Sequence, residues 1–315
     1  MIIRDTRGHW VANLFAFQGT ALRRIWRRLL LTTGLATALT YVDLEVEGGQ
    51  FHEDLTTTPF TLMGLALGIF LGFRNNTSYD RFWEGRKLWG AMVNVSRSFT
   101  RQLLTLIGSE GEADEDELAD FHREMVHRTA AYVHAFRMHL RDDFDFEFLA
   151  TLLPADEIDA LKTETNKPIA ILQTLGDRIR EAWLRGWIHP QHVPVLEASL
   201  TEMTAVQGAC ERIKSTPIPF SYTALIHRLV AVYCFALPFG IVNTTKWFTP
   251  VVVLMIAYAF FGLDAVGDEI EDPFGTDAND LPLTAISTMI EHNVRQRIGD
   301  EDLPPLRKPI DGVLQ

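Results

Sequence analysis

Ten histidines, two cysteines and 41 acidic residues are the groups that could bind a metal or move a proton. His122 and His127 are five residues apart, as are His134 and His139, so neither pair stacks on one helix face. A metal-binding helix of the H-E-x-x-H type is missing, and so are a G-x-x-x-x-G-K-[ST] phosphate loop and a G-x-S-x-G turn. The histidines read as scattered surface residues. Cys210 and Cys234 form no C-x-x-C pair and read as small buried hydrophobes. No nucleophile, base and oxyanion donor come together, so the chain does not read as an enzyme.

Glycine spacing carries more. Gly64, Gly68 and Gly72 sit at i, i+4 and i+8, a smooth stripe of the kind that lets helices approach closely in a bilayer. Leu65, Ile69 and Phe73 keep the same spacing one residue on and form an adjacent apolar ridge. Two readings stand. In one, the ridge packs against lipid or a neighbouring helix. In the other, several copies of the helix surround an axis and the ridge lines a narrow throat that gates ions by dewetting. A single subunit offers no evident pore, so the second reading needs a ring of identical chains.

The elements that hold these residues follow from charge. The 315 residues are 47% hydrophobic and 22% charged, which excludes a disordered or collagen-like chain. The net charge of −12 disfavours nucleic acid as a partner. A mean hydropathy of +0.04 averages very unlike segments. No Lys or Arg lies between Leu29 and Phe73, and only Lys246 lies between Leu229 and Gly267. Four membrane-crossing helices are expected at about Ile25–Val42, Pro59–Phe73, Tyr222–Val242 and Phe248–Val266, although only the last comfortably reaches about 20 apolar residues.

Flanking charge supports the spans. Arg23, Arg24, Arg27 and Arg28 precede the first, and Arg74, Arg81, Arg86 and Lys87 follow the second. The link between them carries Asp43, Glu45, Glu47, Glu53 and Asp54 and no basic residue. By the positive-inside rule both termini and the long middle segment are cytoplasmic. Met1–Arg28 shows no signal-peptide cleavage pattern.

The middle segment reads as water-facing helices over Ala91–Ile107, Phe121–Leu140, Ile158–Trp183 and Pro194–Cys210, with an acidic loop and helix start over 110–120. No strand-like alternation or repeat is visible. The expected fold is all-α, an integral membrane protein with four transmembrane helices and a large helical cytosolic region. Its expected parts are 1–90 (first two spans), 91–217 (cytosolic helices), 218–267 (last two spans) and 268–315 (acidic tail).

Three separated segments then become familiar: FLGFRNNTSYDRFWEGRKLWG from Phe70, IPFSYTALIHRLVAVYCFALPFG from Ile218, and GLDAVGDEIEDPFGTDANDLPL from Gly262. Together they closely resemble the bestrophin family in its bacterial branch. The resemblance implies a homopentameric ion channel of the inner membrane, embedded in lipid and conducting small monovalent ions. Chloride is implied by the eukaryotic members, and cations are open in the bacterial branch. It places the pore neck on Leu65, Ile69 and Phe73, and it implies a second, cytosolic constriction, for which Ile188 and Val195 are the candidates. It also implies a calcium clasp, whose positions here are Asp272, Asp277 and Asp280. Ala278 and Asn279 replace acidic residues of that clasp, so no cofactor is expected to be required and micromolar calcium is not expected to open the channel. Without calcium, Asp277 or Asp280 reads as a helix N-cap. The alternative function is a membrane-anchored helical scaffold whose cytosolic part binds a partner; a metal-dependent membrane enzyme is a weaker third.

Overall fold

The structure is a computed structural model that describes residues 1–2, 19–46, 56–108, 114–310 and 312–314. Glu47, Glu53, Asp54 and the 110–113 part of the acidic run lie outside the described residues. Among the described residues the regular elements are helices, and strand pairing is limited to isolated bridges such as Ile107 to Ile188. The chain divides into two compact units: Met1–Ile3, Trp83–Thr216 and Pro273–Gln315 form a polar unit; Arg4–Phe82 and Pro217–Asp272 form an apolar one.

In the apolar unit, α1 (Leu22–Tyr41) buries Ile25, Leu29, Thr32 and Ala36, one face at helical spacing. The hydroxyls of Thr32 and Thr40 donate to the carbonyls of Arg28 (3.0 Å) and Ala36 (2.7 Å). These threonines therefore need no water, and they sit in the apolar packing at little cost. Helix α2 (Thr58–Leu106) is continuous for 49 residues, about 70 Å at the usual rise, and Thr58–Phe82 is its part in this unit. Near the other end of the sequence, α8 (Phe220–Thr245) and α9 (Thr249–Glu271) are joined by one 3₁₀ turn, Lys246–Phe248. The core of the unit is Ile25, Leu67, Leu71, Val230, Leu237, Val253 and Phe261 with their neighbours.

Only Phe220–Glu271 is long and apolar enough to cross a membrane by length and composition among the described residues. The other two expected spans fall short for a visible reason. Four arginines occupy the start of α1, and the uncharged opening of α2 runs straight into Arg74.

In the polar unit, α3 (Glu115–Arg141) starts where Asp114 accepts the Asp116 N–H (3.3 Å) and three acidic residues fill the first turn. Both features complement the positive helix N-terminus. A short turn, α4 (Phe146–Leu149), precedes α5 (Ala155–Thr163) and α6 (Lys167–Leu184). The single helix expected over Ile158–Trp183 is thus two. Asn166 accepts the Ile169 N–H and Pro168 occupies the first turn of α6, which forces a fresh start there. Helix α7 (Val193–Ser215) leads out of the unit, and α10 (Leu283–Arg295) returns to pack on α3. Trp89 of α2 stacks on Phe136 at 5.2 Å between ring centres, and Tyr132 stacks on Phe136 in turn, at the centre of this core.

Candidate functional site

The apolar unit uses the two sides of α2 differently. Leu67, Leu71 and Arg74 are sealed against the other helices of the unit. Leu65, Ile69 and Phe73 are 66%, 52% and 61% exposed. A ridge of three large side chains at one-turn spacing is therefore left more than half exposed by the described residues of its own chain.

The glycine stripe splits. A Cβ on Gly64 would lie 2.5 Å from the Tyr233 hydroxyl, so Gly64 is needed where α8 crosses α2. Around Gly68 and Gly72 nothing among the described residues would touch an added Cβ. A further close approach lies outside the stripe. A Cβ on Gly267 of α9 would collide with the Asn75 side-chain oxygen of α2, and Asn75 Nδ2 donates to the Leu263 carbonyl at 3.0 Å.

Just below the ridge, four helices meet in a charged knot. The Arg74 side chain of α2 is fully buried; its Nη1 donates to Asp264 Oδ1 of α9 at 2.8 Å, and its Nη2 donates to Asp268. Arg28 of α1 lies 3.7 Å from Asp264 Oδ2. His227 of α8 has Nε2 3.3 Å from Asp264 and 3.2 Å from Asp268. Glu271 Oε1 accepts the Ile218 N–H (3.0 Å), and its carbonyl accepts from Arg81 Nε (3.1 Å). His227, Asp264 and Asp268 are close enough together to share a cation. Arg74 already bridges the two carboxylates, so the knot is an ion-pair lock and not an open metal site.

Nothing in the local pattern of the sequence announced this lock, since Arg74 and Asp264 are 190 residues apart. One signal was available. Asp264 and Asp268 are four apart on an apolar helix, and carboxylates on such a helix must find partners.

In the polar unit the surface reading of the histidines fails at His134. Its ring is buried, with Nε2 2.9 Å from Glu291 Oε2, and its edge meets Phe148. Burial pushes its pKa below the ordinary histidine value despite the carboxylate, and Nδ1 has no partner. The neutral ring donating from Nε2 satisfies both facts. Burial works against ionising Glu291, but hydrogen bonds from His134 and Arg295 hold its pKa below the usual carboxylate range. Cys210 and Cys234 are free and buried, and burial raises the Cys210 thiol far above its ordinary pKa.

The sequence pattern described as the bacterial/fungal bestrophin protein family matches residues 1–296. The chain belongs to the bestrophin family. It is 41% identical over 295 residues, 94% of each chain, to a protein of Ralstonia nicotianae named voltage-dependent anion channel-forming protein. To the protein YneE of Escherichia coli K12, which carries the same description, it is 34% identical over 96% of each chain. It is also similar to the crystal structure of a bacterial bestrophin homolog from Klebsiella pneumoniae. That match is 35% identical, with a TM-score of 0.80, and covers 88% of this chain and 99% of the other.

Bestrophin membership makes this a membrane channel protein and not an enzyme. The all-α expectation agrees with the structure and with the bestrophin neighbours. Two bestrophin expectations, the second constriction and the calcium clasp, concern the polar unit or its boundary, and so does the helix-cap reading of the aspartates. Ile188 is 3% exposed and bridges to Ile107, so it offers no side chain to a lumen, whereas Val195 is 42% exposed. Asp280 Oδ2 accepts the Asp277 N–H at 2.7 Å, and the Asp277 carbonyl accepts the Asp280 N–H at 3.1 Å. The pair closes its own turn, and Pro282 precedes α10, so neither aspartate caps that helix. Asp272 falls in the apolar unit. Asp280 is buried and accepts from backbone, and Ala278 and Asn279 contribute no carboxylate to this loop.

Proposed function

We propose that the chain is one subunit of a ring-shaped ion channel, five copies about one axis, with Leu65, Ile69 and Phe73 lining an apolar neck. The observation that carries this reading is the two-sided α2. The face bearing Leu67 and Leu71 is sealed within the chain, while the ridge face and Gly68 are left for other copies and for the ion path. A throat of large apolar side chains lets water and ions through only when it wets, which is a gate without a moving plug.

In this reading α1, the start of α2, α8 and α9 cross the inner membrane, and both termini lie in the cytoplasm. The arginines at the start of α1 and after Phe73 stand on the cytoplasmic side. The conducted ions are small anions, in keeping with the names of the relatives. Val195 is the remaining candidate for a cytosolic constriction. Opening needs no calcium, because the acidic cluster of the loop after α9 is thinned and the Asp280 carboxylate accepts from the Asp277 N–H.

Purified protein in planar bilayers under asymmetric chloride tests this. Currents reversing toward the chloride equilibrium potential, unchanged by a calcium chelator, are expected. Reversal toward the cation potential would overturn the anion assignment. Current that appears only with micromolar calcium would overturn the reading of the loop. No current from an assembled ring would leave the scaffold reading.

A further inference from the structure

Four arginines open α1, and two of them face away from the core of the apolar unit. Arg28 reaches inward, 3.7 Å from the Asp264 carboxylate and 5.8 Å from the Phe261 ring centre. Arg23 and Arg27 do not. At about 100° per residue both fall half a circle away from Ile25, Leu29, Thr32 and Ala36, the face buried within the unit. They stand one turn apart, about 5–6 Å between Cβ atoms, so both guanidinium groups can converge on one anion. Among the described residues neither meets a carboxylate, and Arg27 lies over the Trp26 ring, 5.4 Å from its centre. The first turn of α1 holds no acidic residue, and Ala21 at its N-cap offers no side-chain acceptor. The positive pole of the helix therefore adds to the two charges.

The continuation of this face indicates what the anion is attached to. Leu30 and Leu31, on the next turn, are 64% and 65% exposed. A Cβ on Gly34 beyond them would touch nothing among the described residues. Leu30 to Val42 carries no charge and spans about 18 Å at the usual rise, roughly the depth of one bilayer leaflet. A soluble anion would leave this apolar strip in water. A phospholipid covers both parts at once, with its phosphodiester at the arginines and an acyl chain along the strip. A zwitterionic headgroup would bring its own ammonium up to the arginines, so a lipid of net negative charge fits better. Trp26, partly exposed beside Arg27, is of the residue type that sits at headgroup level.

We propose that the outward face at the start of α1 binds one anionic glycerophospholipid, its phosphodiester held by Arg23 and Arg27 and an acyl chain lying along Leu30, Leu31 and Gly34. The inference rests on the reading of α1 as a membrane-crossing helix, and it concerns the apolar unit alone.

Native mass spectrometry of the full-length protein in detergent, mixed with equimolar phosphatidylglycerol and phosphatidylcholine, tests it. The expected result is one phosphatidylglycerol per chain, retained about tenfold more than phosphatidylcholine, the worth of one or two charge-assisted contacts. Arg23→Ala with Arg27→Ala should remove that preference, and Arg23→Lys with Arg27→Lys should keep most of it. Lys162→Ala, which breaks an exposed pair with Asp159 in the other unit, should leave it unchanged. Circular dichroism and light scattering establish that the variants fold and assemble. Equal retention of the two lipids by the parent, or an unaltered preference in the alanine double variant, would overturn the proposal alone. Glycerol phosphate competing as well as the lipid would mean that the apolar strip contributes nothing, and would overturn the lipid assignment. An alanine double variant that folds but loses the ring would overturn it in favour of a contact between copies. Retention of neither lipid would take the membrane-crossing reading of α1 down with the proposal.

Discussion

At the scale of single residues, two buried ionisable groups set how the protein responds to mutation and to pH. Arg74 has no exposure, and it neutralises Asp264, which has none either. Removing one partner of such a pair leaves the other charged in a dry site, which costs about 3–5 kcal/mol. Arg74→Met should therefore lower the unfolding temperature sharply in detergent, and adding Asp264→Leu should recover part of the loss. Equal stability of Arg74→Met and the parent would show that the lock bears no load. His134 gives the pH dependence. Its pKa is lowered on folding, so as pH falls through the ordinary histidine range the unfolded chain takes up protons first and stability drops. Glu291, also held low, adds a further loss once pH falls below its ordinary value. Unfolding temperatures from neutral to mildly acidic pH should fall, and the fall should be shallower in His134→Gln; matching slopes would count against the assignment.

At the scale of elements, the helices with the strongest apolar runs were legible almost to their ends. Tyr222–Val242 was expected and Phe220–Thr245 is found; Phe248–Val266 was expected and Thr249–Glu271 is found. Their ends are marked in the sequence by Pro219 and Pro250 and by the change to charge. The break at Glu164–Asn166 was missed because apolar spacing continues across it, and the cap-and-proline signal at Asn166 and Pro168 was outweighed. The ridge of α2 was legible because its three members lie on one helix within nine residues. The ion-pair lock was not, since its members come from four helices far apart in sequence, and only packing brings them together. Helix α2 also separates folding from assembly. Gly64→Leu would strike Tyr233 within the chain, whereas Gly68→Leu meets open space. Gly68→Leu should keep the helical content of the chain and lose the ring, read by light scattering after size exclusion. A ring that survives Gly68→Leu would mean the stripe is not an interface between copies.

At the scale of the whole molecule, the proposed channel depends on one arrangement: copies of α2 around an axis with their ridges inward. The apolar gate and the need for a ring follow from that placement. Conductance of the Leu65→Ala, Ile69→Ala, Phe73→Ala triple variant in planar bilayers tests it most directly. Shortening all three side chains widens the throat and weakens dewetting, so the account expects a strongly raised single-channel conductance from a normally assembled ring. Currents indistinguishable from those of the parent, with assembly intact, would put the ridge against lipid or a neighbouring helix and contradict the account.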